Sequence, residues 1–323
     1  MTIVQKFGGS SLADLEKLRR AASIILEARR RGHSVVAVVS AAGDSTDELL
    51  DMARQIAPKL DQRELDALLS TGEQQSAALM AMMLESLGAP ARSYTGWQAG
   101  VCTDGEHGAA RIRLLVPERL HTALDAGLIP VVAGFQGLSP AGDVTTLGRG
   151  GSDTTAVALA AGLGAGRCEI YTDFDGIYTA DPRLVPRARR LQEIDFRDML
   201  ALARAGSQVL HPESVRLAMT NQVELWLLPA FRAAPGTKVA ALPAEHRPDF
   251  AGVTRDREWG TVTLVGKAVS PEALPLLQYL LESSGIPALP GDAEAGCVSL
   301  KVAHAQLEEA LVLLHDAIME TNA

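Results

Sequence analysis

The sequence predicts a three-layer α/β fold with a mainly parallel central sheet, followed by a small α+β module. Three observations predict it. Val35–Val39 and Ile129–Ala133 are continuous apolar runs, the pattern of parallel strands covered on both faces. Runs of this kind alternate with segments of helical spacing as far as residue 228. Polar, glycine-rich turns follow the strands: GGSS after the first, SAAGDST after the second and TDFDG after a later one. In a parallel sheet such turns gather at the carboxyl ends of the strands, where ligands bind.

Taken in order, Ile3–Phe7 is a short strand ending at Gly8-Gly9-Ser10-Ser11. Leu12, Leu15, Leu18, Ala22, Ile25 and Leu26 recur at helical spacing up to Arg31-Gly32. Val35–Val39 follows as a strand, then a helix over Thr46–Ile56 and another over Asp61–Leu87, with the methionines at 80, 82 and 83 read as helix core. Gly96–Gly108 reads as a loop or hairpin, Glu118–Ala126 as a helix, Ile129–Ala133 as a strand and Cys168–Thr172 as a further strand. Pro229–Phe250 holds four prolines and reads as a connector. Beyond it come a strand (Thr261–Val265), a helix (Leu274–Leu281), a strand (Val298–Val302) and a helix (Leu307–Ile318). The expected domains are therefore 1–230, a linker over 231–249, and a module over 250–323.

Composition narrows the function classes. The chain has 323 residues, 47% of them apolar, and a formal charge of −9. That charge argues against nucleic acid as a partner, because phosphate backbones demand clustered Lys and Arg. Three cysteines far apart suit a reducing compartment. The start MTIVQKFGGSS lacks the basic and apolar regions of a signal peptide, and no apolar run reaches transmembrane length, so a cytoplasmic location without membrane contact is expected. The seven histidines show no H-E-x-x-H and no paired Cys/His spacing, so no protein-held metal is expected.

The chemistry-bearing stretch is Thr145–Gly164, TTLGRGGSDTTAVALAAGLG. A glycine turn, Gly148-Arg149-Gly150-Gly151, enters a helix of small apolar residues, with Ser152 placed to cap it. A helix N-terminus reached through glycines favours anions. Arg149 adds a planar fork for a carboxylate or phosphate, and Asp153 in the first turn can orient a lysine. Lys6, at the end of the first strand and just before two glycines, can reach a phosphate. There is no G-x-x-x-x-G-K-[ST], no H-R-D or D-F-G, and no G-x-G-x-x-G at the first turn. What is left is a phosphate site of lysine, arginine and backbone N–H groups. Phosphoryl transfer needs little more, since positioning and charge neutralisation do most of it.

The segments KFGGSSL, VVSAAGDSTDELL, LLSTGEQQSA, VVAGFQG, TLGRGGSDTTAVALA, EIYTDFDGIYTADPR and GSQVLHPESVRLA resemble, in order, the signatures of the aspartate kinases. The resemblance covers about Thr2–Ala218 and implies the amino-acid-kinase fold with an ACT-like tail. It implies ATP and Mg²⁺ as cofactors, L-aspartate as substrate, 4-phospho-L-aspartate as product, and a homodimer or higher homo-oligomer. By the same resemblance Lys6 neutralises the transferring group and Asp153 orients it. Gly8, Gly9 and Ser10 lie by the phosphates, and Arg149 clamps the substrate α-carboxylate. Glu73 takes the ammonium, and Ser40 and Thr46 line the same pocket. Thr172, Asp173, Tyr178, Asp181 and Arg183 hold the nucleotide, with Mg²⁺ bridging its phosphates.

On pattern alone Ser40 and Thr46 read equally as cap or turn residues, Asp181 before Pro182 as turn chemistry, and Glu73 as a solvated helix charge. Two features depart from the family. Gln208 stands where a lysine contacting ATP phosphate is usual. The chain reads LWLLPAFRAAPGT where R-S-S is usual, and Phe250–Ala323 has room for about one ACT module, not two. In its first turn, Ala268-Val269-Ser270-Pro271-Glu272, glutamate replaces the glycine of an effector-binding D-x-P-G. A kinase for another amino-acid carboxylate, or a weakened sensor subunit, are the alternative readings.

Overall fold

The structure is a computed structural model and describes residues 1–321. In chain order its elements are β1 (Thr2–Phe7), α1 (Leu15–Arg30), β2 (Ser34–Val39), α2 (Ser45–Ile56), α3 (Gln62–Ser86), β3 (Ala91–Tyr94), β4 (Val101–Thr103), β5 (Ile112–Leu115), α4 (Glu118–Asp125), β6 (Ile129–Ala133), β7 (Gln136–Leu138), β8 (Val144–Thr146), α5 (Gly151–Gly162) and β9 (Arg167–Thr172). There follow β10 (Glu193–Asp195), α6 (Phe196–Arg204), α7 (Pro212–Asn221), β11 (Leu225–Pro229), β12 (Thr237–Ala240), β13 (Gly252–Asp256), β14 (Thr261–Val265), α8 (Leu274–Ser283), β15 (Ala288–Glu294), β16 (Cys297–Val302) and α9 (Leu307–Thr321). The residues group into two compact units, Met1–Asp175 with Thr220–Ala234, and Gly176–Met219 with the chain from Pro235 onward. The segment Gly176–Met219, which the sequence reading assigns to 1–230, thus groups with the C-terminal residues.

The first unit is built on parallel strands in the order β11-β9-β1-β2-β6-β3. β6 is buried along its whole length and β2 beyond Ser34, as their apolar runs require. On one face α1 and α3 lay Ile25, Met80 and Leu84 against Ile3, Phe7, Val35 and Ile129. Asp14 caps α1 through Lys17 N, and Asp61 caps α3 through Arg63 N and Glu64 N. Met80 is buried as expected, but Met82 is 63% exposed because two residues along a helix turn the side chain away from the core. On the other face α5 packs on β1 and β9. Ala156, Ala158 and Ala160 are buried along with Val157 and Leu159, and the alanines let the helix lie close to the strands. A smaller sheet, β5-β4-β7-β8, belongs to the same unit.

In the second unit β13-β14-β16-β15 form an antiparallel sheet. Its core joins Val253, Val262, Leu264, Leu281, Leu300, Leu311 and Leu314. The order of elements is ββαββα, where the sequence reading has strand, helix, strand, helix; β13 and β15 are the strands it lacks. β13 pairs with β14 at one edge of the sheet. The proline-rich connector is not structureless: it holds β12, which pairs with β10, and Arg247, whose guanidinium meets Asp198 at 2.5 Å in a buried ion pair.

Candidate active site

The site grows from the end of β1. Strand alternation puts Lys6 on the face away from Ile3 and Phe7, and so toward α5. Its Nζ lies 2.7 Å from Asp153 Oδ1, with side chains only 12% and 14% exposed. The chain then turns through Gly8 and Gly9. A Cβ on Gly9 would stand 2.5 Å from the Ala41 carbonyl oxygen, so only glycine lets the two post-strand turns meet there. The Gly43 N–H donates to the Gly9 carbonyl and the Ser40 N–H to that of Phe7, locking the first turn to the second. Ser10 is exposed beside them.

Glu73 comes from the middle of α3. It is 4% exposed, and its Oε1 accepts from the Ala41 N–H at 3.0 Å. Gly72 permits that approach, because a Cβ there would stand 2.8 Å from Ala41 Cβ. The second carboxylate oxygen, Oε2, is buried without a hydrogen-bond partner. Burial raises the Glu73 pKa to about 7, against the opposing pull of the Ala41 N–H and the Lys6 charge. Glu73 is thus a buried carboxyl and not a solvated helix charge. Ser11 and Ser76, which the sequence reading passed over, also carry buried hydroxyls without partners here, Ser76 one helical turn from Glu73. Thr46 lies in the first turn of α2, partly buried like Ser40.

Arg149 stands exposed between two left-handed glycines, Gly148 at φ 70° and Gly150 at φ 67°. Gly150 is the N-cap of α5, so Ser152 is not the cap: it lies inside the helix, packed on Gly134. The cause is the turn, which needs a positive φ at the residue entering the helix, and glycine supplies it. The neighbouring GFQG turn contains a rarer feature, Phe135 at φ 70°, held by its N–H donating to Thr155 Oγ1 of α5 at 3.1 Å.

A buried clamp supports the Arg149 turn. Asp66 of α3 accepts from the Gly108 N–H at both oxygens (3.1 Å each) and from Thr146 Oγ1 at 2.5 Å, and lies 2.8 Å from His107 Nδ1. Thr146 lies three residues before Arg149, and the Gly108 carbonyl stands 3.2 Å from where a Cβ on Gly148 would be. Nothing in the sequence marked Asp66 or His107, since a polar residue in a helical pattern reads as solvent-facing.

Thr172 ends β9 and Asp173 follows it, exposed; the Thr172 carbonyl accepts from the Ala230 N–H. The remaining nucleotide candidates lie in the second unit. Asp181 takes Arg183 in a two-pronged pair (2.9 and 2.7 Å) and accepts from the Arg183 N–H, so it does serve the turn. The Arg183 guanidinium holds the Asp181 carboxyl below its usual range. Tyr178 bridges to Arg190, and Gln208 is exposed in the loop between α6 and α7. Among the described residues no three His, Cys, Asp or Glu side chains cluster to hold a metal, and no helix is long and apolar enough to cross a membrane.

Comparison with known proteins agrees with this architecture. The model of the amino acid kinase family matches residues 1–228. An aspartokinase from Mycolicibacterium smegmatis is 53% identical over 269 residues, 82% of this chain and 64% of the relative. The chain thus spans less than two thirds of that protein. An aspartokinase from Thermus thermophilus is 45% identical over 284 residues, covering 88% of this chain and 70% of the relative. The solved aspartate kinase from Synechocystis superposes with a TM-score of 0.68 at 40% identity, over 97% of this chain and 54% of that one. By the family model and these relatives, the chain belongs to the amino acid kinase family, in its aspartokinase branch.

Proposed function

We propose that this chain transfers the γ-phosphoryl group of ATP to the side-chain carboxylate of L-aspartate, giving 4-phospho-L-aspartate and ADP. The Lys6–Asp153 pair carries the reading: a nearly buried ammonium, fixed at 2.7 Å by a carboxylate, at the edge where glycine turns meet. A substrate carboxylate oxygen forms the new bond to phosphorus. The bond from phosphorus to the β,γ-bridging oxygen breaks, and its electron pair leaves with ADP. The acceptor is already ionised, so no general base is needed. Lys6 neutralises the charge on the transferring oxygens, and Asp153 holds Lys6 in place. The backbone at Gly8, Gly9 and Ser10 approaches the phosphates.

Arg149 grips the substrate α-carboxylate, and the unpartnered Glu73 oxygen takes its ammonium, with Ser40 and Thr46 beside them. Thr172 and Asp173 belong to the nucleotide side of this reading, to which the resemblance adds Tyr178, Asp181, Arg183 and Gln208. Among the described residues no side-chain cluster forms a metal cage, so Mg²⁺ fits this reading as an ion carried by the nucleotide phosphates and their waters. A cytoplasmic homodimer or higher homo-oligomer completes the reading.

The test is ADP release by the purified chain with aspartate, glutamate, N-acetylglutamate and aspartate analogues offered singly. Turnover with aspartate at least about tenfold above the others in kcat/KM is expected. Turnover with none, or preference for another carboxylate, rejects the proposal.

A further inference from the structure

Among the described buried polar atoms without partners, two groups stand out in the first unit. Ser11, Glu73 and Ser76 belong to the site above. The others that gather are Gln5 Oε1, His33 Nδ1 and Arg167 Nε, which belong to side chains lining a single groove of about 390 Å³ beside α1. Glu27, Arg31 and Arg232 line it too. Gln5 alternates with Lys6 along β1, so this groove is on the opposite face of the sheet from the catalytic lysine.

Its inner wall is fixed by Glu169, buried in β9. That carboxylate accepts from Gln5 Nε2 at 2.8 Å and from the Tyr171 hydroxyl at 3.0 Å, and pairs with Arg167 Nη2 at 2.5 Å. With its nitrogen committed to Glu169, the Gln5 amide cannot turn round. Its oxygen is therefore a fixed acceptor with no donor, on a side chain 1% exposed. Arg167 likewise spends Nη2 on Glu169 and leaves Nε unused. Buried polar atoms in folded proteins are nearly always paired, and each that is not calls for a partner.

We infer that this groove is a second ligand site, for a free α-amino acid. The orphan amide oxygen of Gln5 needs an N–H donor, and the ammonium supplies it. The orphan guanidinium N–H of Arg167 needs an acceptor, and the carboxylate supplies it. A phosphate or dicarboxylate would satisfy only the arginine and would leave Gln5 bare beside the Glu169 charge. The volume lies in the roughly 300–1,000 Å³ range of small-molecule pockets.

The test is calorimetric titration of the full chain with each common L-amino acid in turn. It is carried out on the wild type and on Arg149→Lys, in which the active site is impaired. Binding by at least one amino acid is expected in both. Gln5→Met, which keeps the core volume, should raise its Kd at least about tenfold. Ser23→Tyr fills the groove from the exposed face of α1 without touching the buried cluster, and should do the same if Gln5→Met fails to fold. ADP release at saturating substrate should be unchanged in Ser23→Tyr. No saturable heat with any amino acid up to about 10 mM means that the groove holds only water, and overturns the proposal. Binding that survives Ser23→Tyr, or that is lost in Arg149→Lys alone, assigns the heat to another site and also overturns it.

Discussion

Burial governs the behaviour of Glu73. Its carboxyl binds a proton at about pH 7 in the folded chain and at 4.5 when unfolded. Between these values the folded state holds more protons, so its stability falls as pH rises, by about 3 kcal/mol in total and fully by pH 8. Glu73→Gln removes that penalty. We expect the ligand-free variant to melt higher than wild type at pH 8 and level with it at pH 4, as scanning calorimetry would show; equal melting at both rejects the buried charge. The same variant should bind the amino-acid substrate more weakly, since the amide oxygen can accept from an ammonium but no longer neutralises its charge. Two further residues separate chemistry from recognition. Lys6→Ala should lower kcat by roughly 10²–10³, the size of a lost oxyanion donor, with the circular dichroism unchanged. Turnover within tenfold of wild type would remove Lys6 from the mechanism. Arg149→Lys keeps charge but not the fork, so the KM for aspartate should rise far more than that for ATP. The reverse would place Arg149 on the nucleotide.

At the scale of elements, the Asp66 clamp ties α3 to the turn that carries Arg149. Its carboxylate satisfies the Gly108 N–H and the Thr146 hydroxyl, and through them fixes the turn carrying Arg149. Asp66→Asn turns an N–H toward the Gly108 donor. The expected cost is about 2–3 kcal/mol of stability, with a raised aspartate KM and an ATP KM within about twofold. Equal loss for both substrates would make the clamp merely structural. The elements themselves were largely legible in the sequence: β1, β2, β6, β9, α1, α3 and α5 appear where apolar period and glycine turns put them, because each buries a face with a plain repeat. Lys6 and Asp153 were candidates from strand end, glycine turn and helix start, whereas Glu73 was named only through the resemblance, because the pattern alone reads it equally as a solvated helix charge. What stayed hidden depends on distant partners. Gly150, not Ser152, caps α5 because the turn needs a left-handed residue. β12 and β13 are short strands in or beside proline-rich chain, where period is weak. Asp66 looks like any helix charge until Gly108, forty-two residues away, is brought against it.

At the scale of the whole molecule, the C-terminal module is expected to hold up the Tyr178–Arg183 loop and not to switch the enzyme. Within the second unit, Ala180 and Val185 are buried in the same core as Val262, Leu300 and Leu314. The Val253 N–H of β13 donates to the Thr179 carbonyl at 2.8 Å. His315 of α9, wholly buried, lies with Nε2 2.9 Å from Thr179 Oγ1. Burial holds the His315 pKa below its usual value, which favours the neutral ring. Removing the chain after Pro248 would strip this core from the loop and expose Ala180 and Val185. The truncated chain should therefore lose ATP binding and turnover, with faster amide exchange over residues 178–185. Feedback control is a separate matter. An effector shifts activity only by binding two states unequally. The turn that the resemblance matches to an effector-binding one has Glu272 where that one has glycine, and Glu272 is exposed. Lysine, threonine and methionine, alone or in pairs at 1 mM or so, should change the rate of the intact chain by less than about twofold. Strong inhibition at lower concentrations, relieved in a truncated chain that still turns over, would show the module to be a switch and not a support.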